Sequence, residues 1–382
     1  MTSCSGRAGS HRRATCATYL WGVNRYRWAF AGVAAAVVAL IAIVALLQPQ
    51  PQDSSSSAGG GAAGLIAVSD RQAAPEFTGI DGWVNSSPLT VSALRSKVVL
   101  IDFWTFSCVN CTRTLPHLRT LLDTYGTAGL SIVGVHSPEF DFEKDQGNVR
   151  AAVQRLGISW PVAVDSEMAT WNAWSNRYWP AEYLIDQSGR IAYAHFGEGD
   201  YDHTAAAVAA LLGSGATPRA AADTPLPDSQ AITPELYAGS TAAQQHGGGG
   251  LGDGEAYPAA QGVTTTYPAA AAPATQRDAV EVSGSWIDRG DSLEAASAGH
   301  VRLRFHARDV FVVAGSAASG LPVTVTVDGA APGARAGANA PGGALTVRSS
   351  DLYQLLTGMG AGDHVVDLAV PAGFRLFTFT FG

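Results

Sequence analysis

The sequence predicts two folded parts, an α/β layered domain and then an all-β sandwich, behind a single N-terminal transmembrane helix. Three observations predict this. Apolar strand-like runs alternate with segments of helical period over 76–213, the pattern of a layered α/β domain. Short runs rich in Val, Phe and Thr, parted by Gly and Pro, fill 279–382, as β-sandwiches do. An uncharged run at 28–47, "WAFAGVAAAVVALIAIVALL", has about the length that crosses a hydrocarbon core.

Length and composition agree. A chain of 382 residues suits about two domains plus linkers. With 47% hydrophobic and 15% charged residues it can build real cores, and 43 glycines imply loose stretches between them. The net charge of −8 argues against nucleic acid as a partner. Four cysteines, Cys4, Cys16, Cys108 and Cys111, are too few for a disulfide-stapled scaffold.

The N-terminal elements come first. The tail 1–27 holds Arg7, Arg12, Arg13, Arg25 and Arg27, whereas "QPQPQ" follows the apolar run. The positive-inside rule therefore puts 1–27 in the cytoplasm and the rest outside. The apolar run is long for a cleaved signal and lacks a small-residue cleavage site, so it reads as a retained anchor at 28–47. A Ser/Gly-rich tether occupies 48–75.

Within 76–213, "VVLIDFW" reads as a buried strand and "TRTLPHLRTLLDTYG" as a helix stopped by Gly126. "LSIVGVHS" is a second strand, "NVRAAVQRLG" a second helix and "WPVAVD" a short strand. "AEYLIDQSGRIAYAHFG" reads as a hairpin turning at Gln187–Gly189. "DHTAAAVAALLG" closes the domain as a helix with Asp202 as its cap. The stretch 214–278, rich in Ala, Gly and Pro, reads as linker or insert. In 279–382 only "DLYQLL" suggests a helix among the strands.

The chemistry sits in "DFWTFSCVNCTRTLP", 102–116. Cys108 and Cys111 stand three apart between a strand and a helix. Zinc wants four ligands, commonly two such pairs, and no second pair lies on this side of the membrane. A structural disulfide over so short a loop removes little unfolded-state entropy. Redox exchange fits the context: helix-start N–H groups and the dipole favour a thiolate on Cys108. Cys111, one turn on, can attack a disulfide formed there. Disulfide staple and metal half-site remain the alternatives. Elsewhere, "GEGDYD" at 197–202 fits no calcium loop and reads as a solvated turn. Glu139 lines a groove or the surface, and Trp286 and Tyr353 read as core more than as sugar contacts.

The segment resembles the active site of thioredoxin-fold proteins. The resemblance implies that Asp102 is the buried proton-transferring aspartate, Trp104 the tryptophan of the "FW" motif and Pro116 the helix-kinking proline. Pro180, in "RYWPAEYLID", resembles the fold's cis-proline, which with Trp179 and Trp104 would border bound substrate. "VGVHSPEFDFE", "ATWNAWSNRYWPAEYLID", "AHFGEGDYD", "TPELYAG" and "FTFTFG" together resemble the extracytoplasmic part of DipZ-type proteins, relatives of the TlpA/ResA thiol reductases. The second module would then be like a carbohydrate-binding module. The resemblance implies a thiol–disulfide oxidoreductase of the cell membrane, single-pass, working outside the cytoplasm on protein thiols or disulfides without a cofactor or metal. Such relatives begin with a multi-span CcdA-like part. This chain shows one span, so a separate CcdA-like donor is the expected partner, and a glycan is a candidate ligand. The rival expectation is an envelope protein that binds glycan or protein through the β-module, with the first domain as scaffold.

Overall fold

The computed structural model describes residues 64–213, 232–246, 251, 260–268, 276–316, 318 and 320–382. The expected span at 28–47 lies outside them. Among the described residues no helix is long and apolar enough to cross a membrane.

The first domain is a six-stranded sheet wrapped by helices. Its elements are β1 (Gly82–Val84), β2 (Val98–Trp104), α1 (Val109–Tyr125), β3 (Leu130–His136), α2 (Gln146–Arg155), β4 (Val162–Val164), α3 (Ala169–Ala173), β5 (Ala181–Ile185), β6 (Ile191–Phe196) and α4 (Tyr201–Leu212). The spatial order is β1-β4-β3-β2-β5-β6. β2, β3 and β4 run parallel; β1, β5 and β6 are antiparallel to their neighbours. This is the thioredoxin-like arrangement.

β2 is buried at every residue, as a central strand covered on both faces must be. Its period of two sorts the core. Val98, Leu100 and Trp104 pack with Leu115 and Leu118 of α1 and Val208 of α4. Val99, Ile101 and Phe103 pack on the other face with Trp171 and Trp174. Asp102 therefore points to the α1/α4 face. Trp104 lies so close to β3 that a Cβ at Gly134 would stand 2.9 Å from its Nε1.

The expected hairpin is β5–β6. The closing helix begins one residue before Asp202, with Asp200 at the cap position and Asp202 inside the first turn. β1 and α3 carry too few residues, three and five, to show a period.

The second part is all β. The stretch expected as linker holds β7 (Leu236–Tyr237), α5 (Ser240–His246) and β8 (Thr264–Tyr267). Then follow β9 (Val280–Asp288), β10 (Leu293–Ala295), β11 (Gly299–Phe305), β12 (Val310–Ser316), β13 (Leu321–Val327), β14 (Ala344–Val347), β15 (Asp351–Leu356), β16 (His364–Val370) and β17 (Phe374–Phe381). "DLYQLL" is β15, not a helix.

The two sheets of the expected sandwich join into one 11-stranded, barrel-like sheet. β9 is the corner. Its first half pairs with β11 and its second half with β8 and β10. Gly284 makes the turn at φ +90°, where a Cβ would meet the carbonyl oxygen of Ala298 at 2.8 Å, so only glycine fits there comfortably. Trp286 is fully buried at the centre, and Tyr353 is buried with its hydroxyl donating to the Ser349 carbonyl at 2.6 Å.

The two parts pack directly. Phe377 of β17 lies 5.2 Å from Phe140 and 4.8 Å from Phe142, ring to ring. Tyr237, Ala242, Ala243 and Val313 complete that apolar cluster. Arg155 bonds Asp351 at 2.8 Å, and Arg113 lies over the Phe311 ring at 5.4 Å.

Candidate active site at the Cys108–Cys111 pair

β2 ends at Trp104, and the next residues turn the chain into α1. Cys108 is the helix cap, at φ −80° and ψ 116°. Its Sγ accepts the Cys111 N–H at 3.2 Å, the bond a serine cap would make. Both thiols are free; Cys108 is half-buried and Cys111 is 1% exposed. Cys108 thus lines the adjoining cavity, whereas Cys111 does not.

The turn before Cys108 is braced by Glu143. Its carboxylate accepts from the Ser107 hydroxyl at 2.5 Å, from the Glu139 N–H at 2.7 Å and from the Phe140 N–H at 3.0 Å. Glu143 closes the family-like "VGVHSPEFDFE", but no spacing in the sequence tied it to the turn before Cys108.

Of the expected site residues, Trp179 shares a cavity of about 170 Å³ with Cys108. Its indole lies tilted against Trp171, ring centroids 4.1 Å apart, and donates to the Ser137 carbonyl at 3.0 Å. The Trp179–Pro180 bond is cis. Asp102 is 2% exposed on the α1/α4 face, and its charge is one of the smaller influences that raise Cys111. Trp104 is fully buried, edge-on to His136 at 5.2 Å, and is absent from the cavity lining.

The cavity's other wall comes from the second part. Tyr237 and His246 stack at 4.5 Å and line it together with Glu235. The Tyr237 hydroxyl donates to Glu139. Glu235 and Tyr237 lie in the family-like "TPELYAG"; His246 lies beyond it.

The electrostatics run against the expected thiolate. Burial pushes the Cys108 thiol up, and the charges of Glu139 and Glu235 push the same way; hydrogen bonds from Cys111 oppose them. Of the two carboxyls, Glu139 acts the more strongly on Cys108. Burial raises Cys111 further, then its hydrogen bond to Cys108. Asp102 is raised well above the usual carboxylate range by burial and then by Glu182.

A thioredoxin-like domain carrying two free thiols at a helix start is the architecture of the thiol–disulfide exchange proteins. The comparisons agree. The Redoxin family matches residues 69–212, and the family described as "Thioredoxin like C-terminal domain" matches 233–382. Thiol-disulfide oxidoreductase YkuV of Bacillus subtilis is 33% identical over 127 residues, 33% of this chain and 85% of YkuV. The chain belongs to the thioredoxin-like thiol–disulfide oxidoreductase family. Protein DipZ of Mycobacterium tuberculosis is 35% identical over 325 residues, 81% of this chain; the match spans 43% of DipZ's length. Thiol-disulfide oxidoreductase ResA of Halalkalibacterium halodurans is 31% identical over 104 residues, 27% of this chain and 56% of ResA.

Proposed function

We propose that this chain is a membrane-anchored thiol–disulfide oxidoreductase acting outside the cytoplasm on protein disulfides or dithiols. One observation carries the reading. The half-buried Cys108 caps a helix inside a groove, its sulfur accepting the backbone N–H of the buried Cys111 at 3.2 Å. Cys108 attacks a client disulfide and holds the client as a mixed disulfide. Cys111, deprotonated towards Asp102, then attacks Cys108 Sγ. The Cys108–Cys111 bond forms, the client leaves as a thiol and two electrons have moved to it. Trp179 and Pro180 border the client backbone, and Trp104 holds the turn from below. The chemistry needs neither a cofactor nor a metal, since the thiols themselves supply the electrons.

The full chain bearing Cys4→Ser and Cys16→Ser, supplied with dithiothreitol, should reduce insulin-type disulfides. Alkylating the remaining pair should abolish this; unchanged turnover would overturn the reading.

The apolar run at 28–47, with arginines only before it, supports the anchor. The chain should sediment with membranes and resist alkaline extraction, and release by alkali would remove that part of the proposal. Regenerating electrons would come from a CcdA-like carrier in the same membrane. The glycan-binding alternative gains nothing from Trp286 and Tyr353, which are both in the core.

A further inference from the structure

Behind the thiol pair, three titratable side chains stand in one row. Asp102 of β2 pairs directly with Glu182 of β5, and Glu182 with His195 of β6. Direct antiparallel partners share a face of the sheet, their Cβ atoms about 5 Å apart. Here it is the face beneath α1 and α4, because Leu184 and Tyr193, the next pair on it, pack there. Asp102 and Glu182 are both 2% exposed, whereas His195 is half-buried on the outer strand. Asp102 Oδ1, Glu182 Oε1 and His195 Nε2 have no hydrogen-bond partner among the described residues.

The surroundings of Glu182 are known. Thr204 of α4 donates to its Oε2 at 3.0 Å, and the Tyr193 hydroxyl lies 3.3 Å from Thr204. Tyr201 of α4 feels its charge, as do Tyr193 and Asp102. His117 of α1 stacks on Tyr201 at 4.4 Å and is pushed down by burial and then by the neighbouring His195. None of these groups is a lysine or arginine. Burial holds Glu182 at about 7, so it can give or take a proton near neutrality.

Such a row meets a need of the exchange reaction. Cys111 is 1% exposed, and a client bound at Cys108 covers the groove. The proton leaving Cys111 must go backwards. We propose that Glu182 is a positioning residue for proton transfer, linking Asp102 beneath Cys111 to His195 at the sheet's edge, and so giving that proton a route to solvent behind the groove. This rests on Cys111 being the resolving thiol. In the step, the Cys111 S–H bond breaks and Asp102 takes the proton. The thiolate's electron pair forms the Cys108–Cys111 bond as the client–Cys108 bond breaks. The client sulfur leaves with that bond's pair and is protonated from solvent. The proton on Asp102 passes to Glu182 and out through His195.

The test uses 5,5′-dithiobis(2-nitrobenzoate) on the full chain carrying Cys4→Ser and Cys16→Ser. The first thionitrobenzoate released reports attack by Cys108, and the second reports attack by Cys111. Glu182→Gln should leave the first phase unchanged and slow the second about fivefold at pH 7, because a neutral neighbour makes Asp102 a weaker base. The acidic limb of the second phase should move to lower pH. His195→Gln, at the half-buried edge, should slow the second phase likewise, with added imidazole restoring it, and serves if Glu182→Gln fails to fold. A second phase with the parent's rate and pH profile in the folded variants would overturn the relay. A parent chain that releases no thionitrobenzoate would instead overturn the exchange reading.

Discussion

Cys111→Ser should lower turnover by about three orders of magnitude or more while loading clients onto Cys108 as stable mixed disulfides. The geometry separates the two sulfurs by task. Cys108 reaches the groove and begins the reaction, and its cap bond comes from the backbone of residue 111, which serine keeps. The helix start is therefore unchanged, and the first attack survives. A serine hydroxyl cannot displace a thiolate from Cys108, so the adduct has no internal exit. Cys108→Ser should differ in kind: equally inactive on insulin-type disulfides, it should trap nothing, since buried Cys111 meets no client. Both variants are read on non-reducing gels and by mass spectrometry of the adduct. Adducts on Cys108→Ser rather than on Cys111→Ser would reverse the roles, and turnover retained by Cys111→Ser would remove the resolving step.

What the sequence disclosed follows the reach of its patterns. Asp102, Cys108, Cys111 and Pro116 lie within one strand–turn–helix, where spacing alone sets geometry. Pro180 was legible through the "WPAEYLID" run that follows it into β5. Long-range pairings were not legible. Glu182 and His195 join Asp102 only through the register of three strands. Tyr237, Glu235 and His246 reach the groove only because the second part docks through Phe377 and Phe140. "DLYQLL" misled because Leu352, Leu355 and Leu356 mimic helical spacing. The sheet buries Tyr353 and Leu355 on alternate positions instead. The expectation of a thiolate at Cys108 counted the helix start but not the charge of Glu139, which the sequence put in a groove or on the surface and which arrives from the loop after β3.

That carboxyl sets the last large effect. A helix start favours a thiolate at its cap, but Glu139 stands beside Cys108 and opposes the charge. Burial, and the neighbouring acids Glu235 and Glu143, raise Glu139 well above the usual carboxylate range. The sign follows. As pH rises and Glu139 ionises, it penalises the thiolate over the range where Cys108 would itself ionise, so wild-type alkylation should climb late and shallowly. Glu139→Gln keeps an acceptor for the Tyr237 hydroxyl and removes the charge. Its Cys108 should react with iodoacetamide about tenfold faster at pH 8, with the midpoint moved to lower pH, because a like charge no longer opposes ionisation. The gain is partly offset, since a less basic thiolate is a weaker nucleophile. A midpoint that stays put, or moves up, would show that Glu139 remains neutral in the groove. The Tyr237 hydroxyl that bonds Glu139 comes from the second part of the chain. The acidity of the attacking sulfur is in that case a joint property of both parts.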